Sequence, residues 1–296
     1  MKFFYKKIIV VLCLLLSASA FASEFSYDDF AQIPILHEGR IKPLETFAQT
    51  KLLLISGKRS LSSTSANAWL AELFFEQELA YDRQIFKIHN PDLLAMLSLE
   101  RRKKHRYSFN EIALPLQNII NTIQELHKRP KEQLTPVERQ LVDLYLNMAA
   151  YYDLSKSLAV LVPQFKVFSP QLAAQLNLSI NTEYSYLDLV KVSSALQKQM
   201  QALESKAAEK FSKDEMELFV LAHELQRTQA EVNAKMLRVI PPQWSADADE
   251  WFAPWQLVQS GRGSPQTAHL FELWRELAIS YQNGDVKSWQ DSAKRL

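Results

Sequence analysis

Along most of this chain the apolar residues recur at spacings of three and four, the period of helices that bury one face. The pattern predicts a helix from Pro43 to Ser56, stopped at Gly57, and a polar, serine-rich loop over 58–65. Ser65 or Asn67 then caps a strongly apolar helix carrying Trp69, Leu70, Leu73, Phe74 and Phe75. Alternation over Gln84–Ile88 reads as a short extended piece, and Asn90-Pro91 as an N-cap with proline in the first turn. Ser108 and Glu111 fit a capping box; Pro115 interrupts, so the main helix is expected over 116–128. Thr135, Pro136 and Glu138 start a helix that should run to about Val162, before Pro163. Residues 163–184 look irregular, with an extended segment near Phe165 and Phe168. Helices are expected over 185–208 and 213–237, and from Ser264-Pro265 through Tyr281. A turn at Gly284-Asp285 leads to a short terminal helix with Trp289. The sum is a mostly α fold, a multi-helix bundle or irregular helical array with long loops and at most minor short strands.

Composition agrees: glycine occurs five times in 296 residues, and 47% of residues are hydrophobic, enough for a real core. Residues 1–22 have a lysine-rich start, a short apolar run and a small-residue Ala20-Phe21-Ala22 end, the layout of a secretory signal peptide. The expected mature chain starts at Ser23, an uncleaved anchor being the alternative. Removing 1–22 deletes three lysines and no acid, taking the formal net charge from +1 to −2. It also deletes Cys13, the only cysteine, leaving no disulfide, thiol nucleophile or thiolate ligand. This near-neutral balance points away from nucleic acid as a partner. The reading is therefore a periplasmic, membrane-proximal chain with one α-helical domain over 23–296, subdivided at most near 163–184.

Chemistry-bearing residues concentrate in Pro34–Phe47, where His37, Glu38, Arg40, Lys42, Glu45 and Thr46 surround Gly39. Gly39 allows a sharp turn, and Lys42, preceding Pro43, is biased to extended geometry. The expectation is an extended arm, a tight polar turn and a helix entered with Pro43 in its first turn. Arg101–Arg106 is the densest charge run, either a solvated loop or a contact for anionic lipid or an acidic partner. Trp251 and Trp255 would share one helix face, as core or as a flat surface for a ligand such as a porphyrin. Catalytic signatures fail: His223-Glu224 begins a zinc-protease motif, but Arg227 stands where its second histidine belongs. No metal site and no catalytic group is expected.

The run His37-Glu38-Gly39-Arg40-Ile41-Lys42-Pro43-Leu44-Glu45-Thr46-Phe47-Ala48 resembles a segment of the extracytoplasmic helical region of CcsA/ResC-type (System II) cytochrome c assembly proteins. Weaker parallels follow in order at Leu54–Lys58, at Arg106–Glu111 around Tyr107, at Ile240–Pro242 with Trp251, and at Tyr281–Asp285. The tryptophan-rich haem-handling membrane core of that family has no counterpart here. The resemblance therefore implies a non-catalytic accessory role in cytochrome c biogenesis, beside a CcsA-type membrane protein or an apocytochrome, with the 37–46 stretch, Tyr107, Trp251 and Trp255 as contact candidates. Arg40 suits bidentate recognition of a carboxylate, a haem propionate included. No cofactor is expected to reside in the chain. The alternative is a periplasmic binding protein for haem or another flat apolar ligand.

Overall fold

A computed structural model describes residues 25–231, 236–244 and 250–296. The expected signal segment and its cleavage point lie outside the described residues. Among them are fifteen α-helices and three small two-stranded antiparallel sheets, a mostly α, irregular helical array.

The order begins with α1 (Asp28–Gln32), β1 (Pro34–His37), β2 (Arg40–Pro43), α2 (Leu44–Ser56), α3 (Ala66–Phe75), α4 (Gln77–Asp82), β3 (Phe86–Lys87), α5 (Pro91–Met96) and β4 (Arg106–Tyr107). It continues with α6 (Phe109–Asn118), α7 (Ile120–Lys128), α8 (Pro136–Ser155), β5 (Phe165–Lys166), α9 (Pro170–Leu176), β6 (Glu183–Tyr184), α10 (Tyr186–Val190), α11 (Ser193–Gln201) and α12 (Lys213–Ala230). It ends with α13 (Pro254–Ser260), α14 (Pro265–Gln282) and α15 (Val286–Arg295).

Local signals set many of these boundaries. Ser65 accepts from the Ala68 amide at the start of α3, and Gly57 closes α2 in the left-handed region at φ 71°. Capping boxes at Ser108 and Thr135 start α6 and α8. Buried side chains from Phe30 to Ala293 form one hydrophobic cluster, and Phe165, Val167, Leu172 and Leu176 belong to it; the 163–184 segment, expected to be irregular, holds α9 between the paired strands β5 and β6.

Five of the predicted elements need correction. Pro43 is not in the first turn of a helix: it ends β2 in extended geometry (φ −61°, ψ 146°) and caps α2. Pro115 lies inside α6, because the Ser108 capping box starts that helix six residues before it; the break comes at Ile119. The helix from Pro136 stops at Ser155 instead of Val162. There the Ser155 and Ser157 hydroxyls bond back to the Tyr152 and Asp153 carbonyls, which competes with helix propagation. Trp251 and Trp255 do not share a helix. Pro254 biases Ala253 to extended backbone, so α13 begins after Trp251. The 185–208 prediction resolves into α10 and α11, parted at Lys191–Val192.

Candidate functional site

The charged stretch folds as a β-hairpin. Pro34 pairs with Pro43, Ile35 with Lys42, Leu36 with Ile41 and His37 with Arg40. Two residues make the loop, Glu38 at φ 53° and Gly39 at φ 71°. Positive φ at both positions marks a type I′ turn, whose twist matches that of the flanking strands. Glycine takes this geometry freely; glutamate does so against a steric cost. Local contacts offset part of that cost: the Lys42 ammonium donates to the Glu38 carboxylate at 3.1 Å, and His37 Nδ1 lies 3.4 Å from the same oxygen.

The hairpin is anchored on one edge. Ile35 is fully buried, the Leu36 amide donates to the Arg238 carbonyl at 3.0 Å, and the Leu44 amide donates to the Ile33 carbonyl at 2.9 Å. Its other edge projects: Arg40 and Ile41 are exposed, Ile41 by 63%. The Arg40 guanidinium has no hydrogen-bond or ion-pair partner among the described residues.

Behind the turn lies a cleft of about 300 Å³, with Leu36, Phe47 and Leu154 on its apolar side and His37, Lys51 and Arg238 on its polar side. The His37 ring meets the edge of Phe47 at 4.9 Å. Burial pushes the His37 pKa below its ordinary value, Lys51 and Lys42 push it the same way, and Glu38 opposes them. Burial also lowers the Lys51 pKa, against the Glu38 charge. The Lys42 hydrogen bond, then the charges of His37 and Lys42, hold the Glu38 carboxyl below the usual range. Lys51 and Arg238 are each half-buried and make no side-chain hydrogen bond or ion pair among the described residues. Glu38 and Asp153 also line the cleft. Lys51, whose ammonium lies 5.4 Å from the centre of the Phe47 ring, and Arg238 are two cations without an ion pair among the described residues; beside an apolar wall they suit a single carboxylate better than a multiply charged anion, which those acids would repel.

The remaining candidates separate from this site. Glu45 accepts from the Gln49 side chain at 3.1 Å, and Thr46 is exposed on the first turn of α2. Tyr107 is fully buried, donates to the Glu100 carbonyl at 2.7 Å and lies under the Arg102 guanidinium. Trp255 is 1% exposed, its indole N–H donating to the Lys156 carbonyl at 3.1 Å and its ring packed on Tyr186. Trp251 is buried too. These three are core residues and offer no free aromatic surface.

Sequence reasoning missed Lys51 and Arg238. Lys51 was within reach, since it follows Phe47 by one helical turn in a helix read from the sequence. Arg238 stands some 200 positions from the hairpin, and no local signal joins the two. Among the described residues no group of three or more His, Cys, Asp and Glu side chains is placed to hold a metal ion, and no helix is long and apolar enough to cross a membrane. No family model matches the chain, and a search of curated proteins finds no match.

Proposed function

We propose that this chain is a non-catalytic accessory protein of cytochrome c biogenesis, exported from the cytoplasm, which docks through its 34–43 hairpin on a CcsA-type membrane partner or on the apocytochrome. One observation carries this reading. The residues that resemble the family's segment form a β-hairpin whose second strand carries two exposed side chains, Arg40 and Ile41, with no polar partner among the described residues. A charged guanidinium beside an exposed isoleucine is the composition of an interface anchor, in which arginine is enriched. The cleft behind the tip would receive an acidic side chain of the partner, met by Lys51 and Arg238. The reading as a binding protein for a flat apolar ligand receives less support, because Trp251, Trp255 and Tyr107 are spent on the core.

The test is crosslinking in cells followed by purification of the tagged chain. A CcsA-type membrane protein or an apocytochrome should be captured by the wild type and lost with Arg40→Glu or Ile41→Ser. Both substitutions are at exposed positions and should leave the circular dichroism unchanged. Equal capture by all three proteins would remove the hairpin from the interface. A deletion strain whose cytochromes stain normally for covalent haem would remove the function.

A further inference from the structure

The Arg101–Arg106 run divides in the fold. Arg102 forms a bidentate pair with Glu111, and Arg106 donates to the Ile85 carbonyl at 2.7 Å and the Ser56 carbonyl at 2.8 Å. These two arginines hold the structure together. Arg101, Lys103 and Lys104 are exposed and have no side-chain partner among the described residues.

The internal bonds bring other cations to the same face. Arg106 ties β4 to the end of α2, where Lys58 and Arg59 follow Gly57. Lys87 pairs in register with Arg106, and a Cβ at Gly57 would sit 3.9 Å from the Lys87 Cδ. The Ile88 amide donates to the His105 carbonyl at 3.1 Å, and the His89 and His105 rings lie 4.6 Å apart. Six lysines and arginines (58, 59, 87, 101, 103 and 104) are thus gathered, all exposed and none ion-paired among the described residues. Glu100 is the one carboxylate in the 100–105 loop, and Asp92 lies on the first turn of α5. Leu53 and Leu54 of the last turns of α2 adjoin Lys58, and Leu54 is 59% exposed.

We propose that this face docks on an anionic phospholipid surface. Clusters of four to eight basic residues bind such surfaces through summed, non-directional attraction. These heads sit on long side chains that no hydrogen bond fixes among the described residues, which suits mobile headgroups. An acidic protein surface would be matched by fixed, bidentate arginines, and the two arginines that are fixed are consumed internally. Exposed leucines beside the cations add shallow insertion at the interface. The face is separate from the hairpin. The two stand at opposite ends of the thirteen-residue α2, about 20 Å apart. Loss of one contact is therefore distinguishable from loss of the other.

The experiment is co-sedimentation of the expected mature chain, residues 23–296, with phosphatidylglycerol-containing vesicles and with pure phosphatidylcholine vesicles. Binding is expected to the first and not the second, and to weaken steeply with salt. The quadruple variant Lys58→Gln, Arg59→Gln, Lys103→Gln, Lys104→Gln alters only exposed, unpaired groups, and circular dichroism verifies its fold. At about fivefold per charge, it should bind at least about a hundredfold more weakly. Leu54→Ser should weaken binding several-fold with an unchanged salt slope. Equal sedimentation of wild type and quadruple variant would overturn the proposal by placing membrane binding on another segment. So would no vesicle binding by the wild type, whether or not polyglutamate captures it; capture would mark the face as a site for an acidic protein.

Discussion

At His37, burial and neighbouring charge act together. Burial is the larger influence lowering its pKa, the Lys51 and Lys42 ammoniums add to it, and Glu38 opposes. The folded value therefore lies below the unfolded one, so the fold favours the neutral ring. The resulting contribution to stability is complete above about pH 6.5 and is lost as pH falls through the folded value. An NMR titration of the ring should give a midpoint below 6.5. Lys51→Met should move it upward, because the side chain still buries the ring while its charge is gone, and Glu38→Gln should move it further down. A midpoint at or above the ordinary value, or one indifferent to Lys51→Met, would show that the cationic cleft does not form around this ring. The same charges that discourage protonation of His37 prepare the cleft for an anion, so the titration reads the site without knowledge of its ligand.

Among the elements, the hairpin is the most exacting. Gly39 has nothing within 4 Å of where a Cβ would stand, so Gly39→Ala tests backbone geometry alone. At φ 71° the substitution should cost about 1–2 kcal/mol in denaturant unfolding. Glu38→Asn should hold or raise the midpoint, since asparagine tolerates the left-handed region. No loss from Gly39→Ala would mean that the turn can relax to another type. Part of this element was legible in the sequence: a glycine between charged neighbours, with extended geometry before Pro43, marked the turn. The second strand was not, because β2 is largely exposed and lacks the apolar alternation that announces a strand. Helix starts were legible at many positions where a side-chain cap closes a local ring, as at Ser65, Asn90, Ser108, Thr135 and Ser264, but the same cap at Ser169 was missed and with it α9. Helix ends and the cleft were less so. The halt of α8 depends on serine side chains turning back on the backbone, and Arg238 reaches the hairpin only through the tertiary fold.

Across the whole molecule, one side chain joins the two ends of the described chain. Trp289 of α15 is fully buried, and its indole N–H donates to the Ser26 carbonyl at 2.8 Å. The rings of Phe25, Tyr27, Phe30, Phe75 and Tyr281 surround it at centroid distances of 5.1 to 6.1 Å. These rings come from α1 and the residues before it, from α3 and from α14, so the indole ties four parts of the chain into one core. Trp289→Ala should cost about 3–5 kcal/mol, the range for emptying a buried aromatic site, read from the denaturant midpoint at unchanged slope. The effect should reach the hairpin, because α1 leads through Ile33 directly into β1. Hydrogen exchange at the Leu36 amide, bonded to the Arg238 carbonyl, should quicken in the variant along with that of α15. A cost below about 1 kcal/mol, with fraying confined to 286–296, would instead make α15 a peripheral helix. The docking hairpin would then be held by Ile35, the Arg238 bridge and the Leu44–Ile33 backbone bond, without help from α15. With the larger cost, the hairpin stands on a core that the last helix completes, and removing that helix should loosen the hairpin as well.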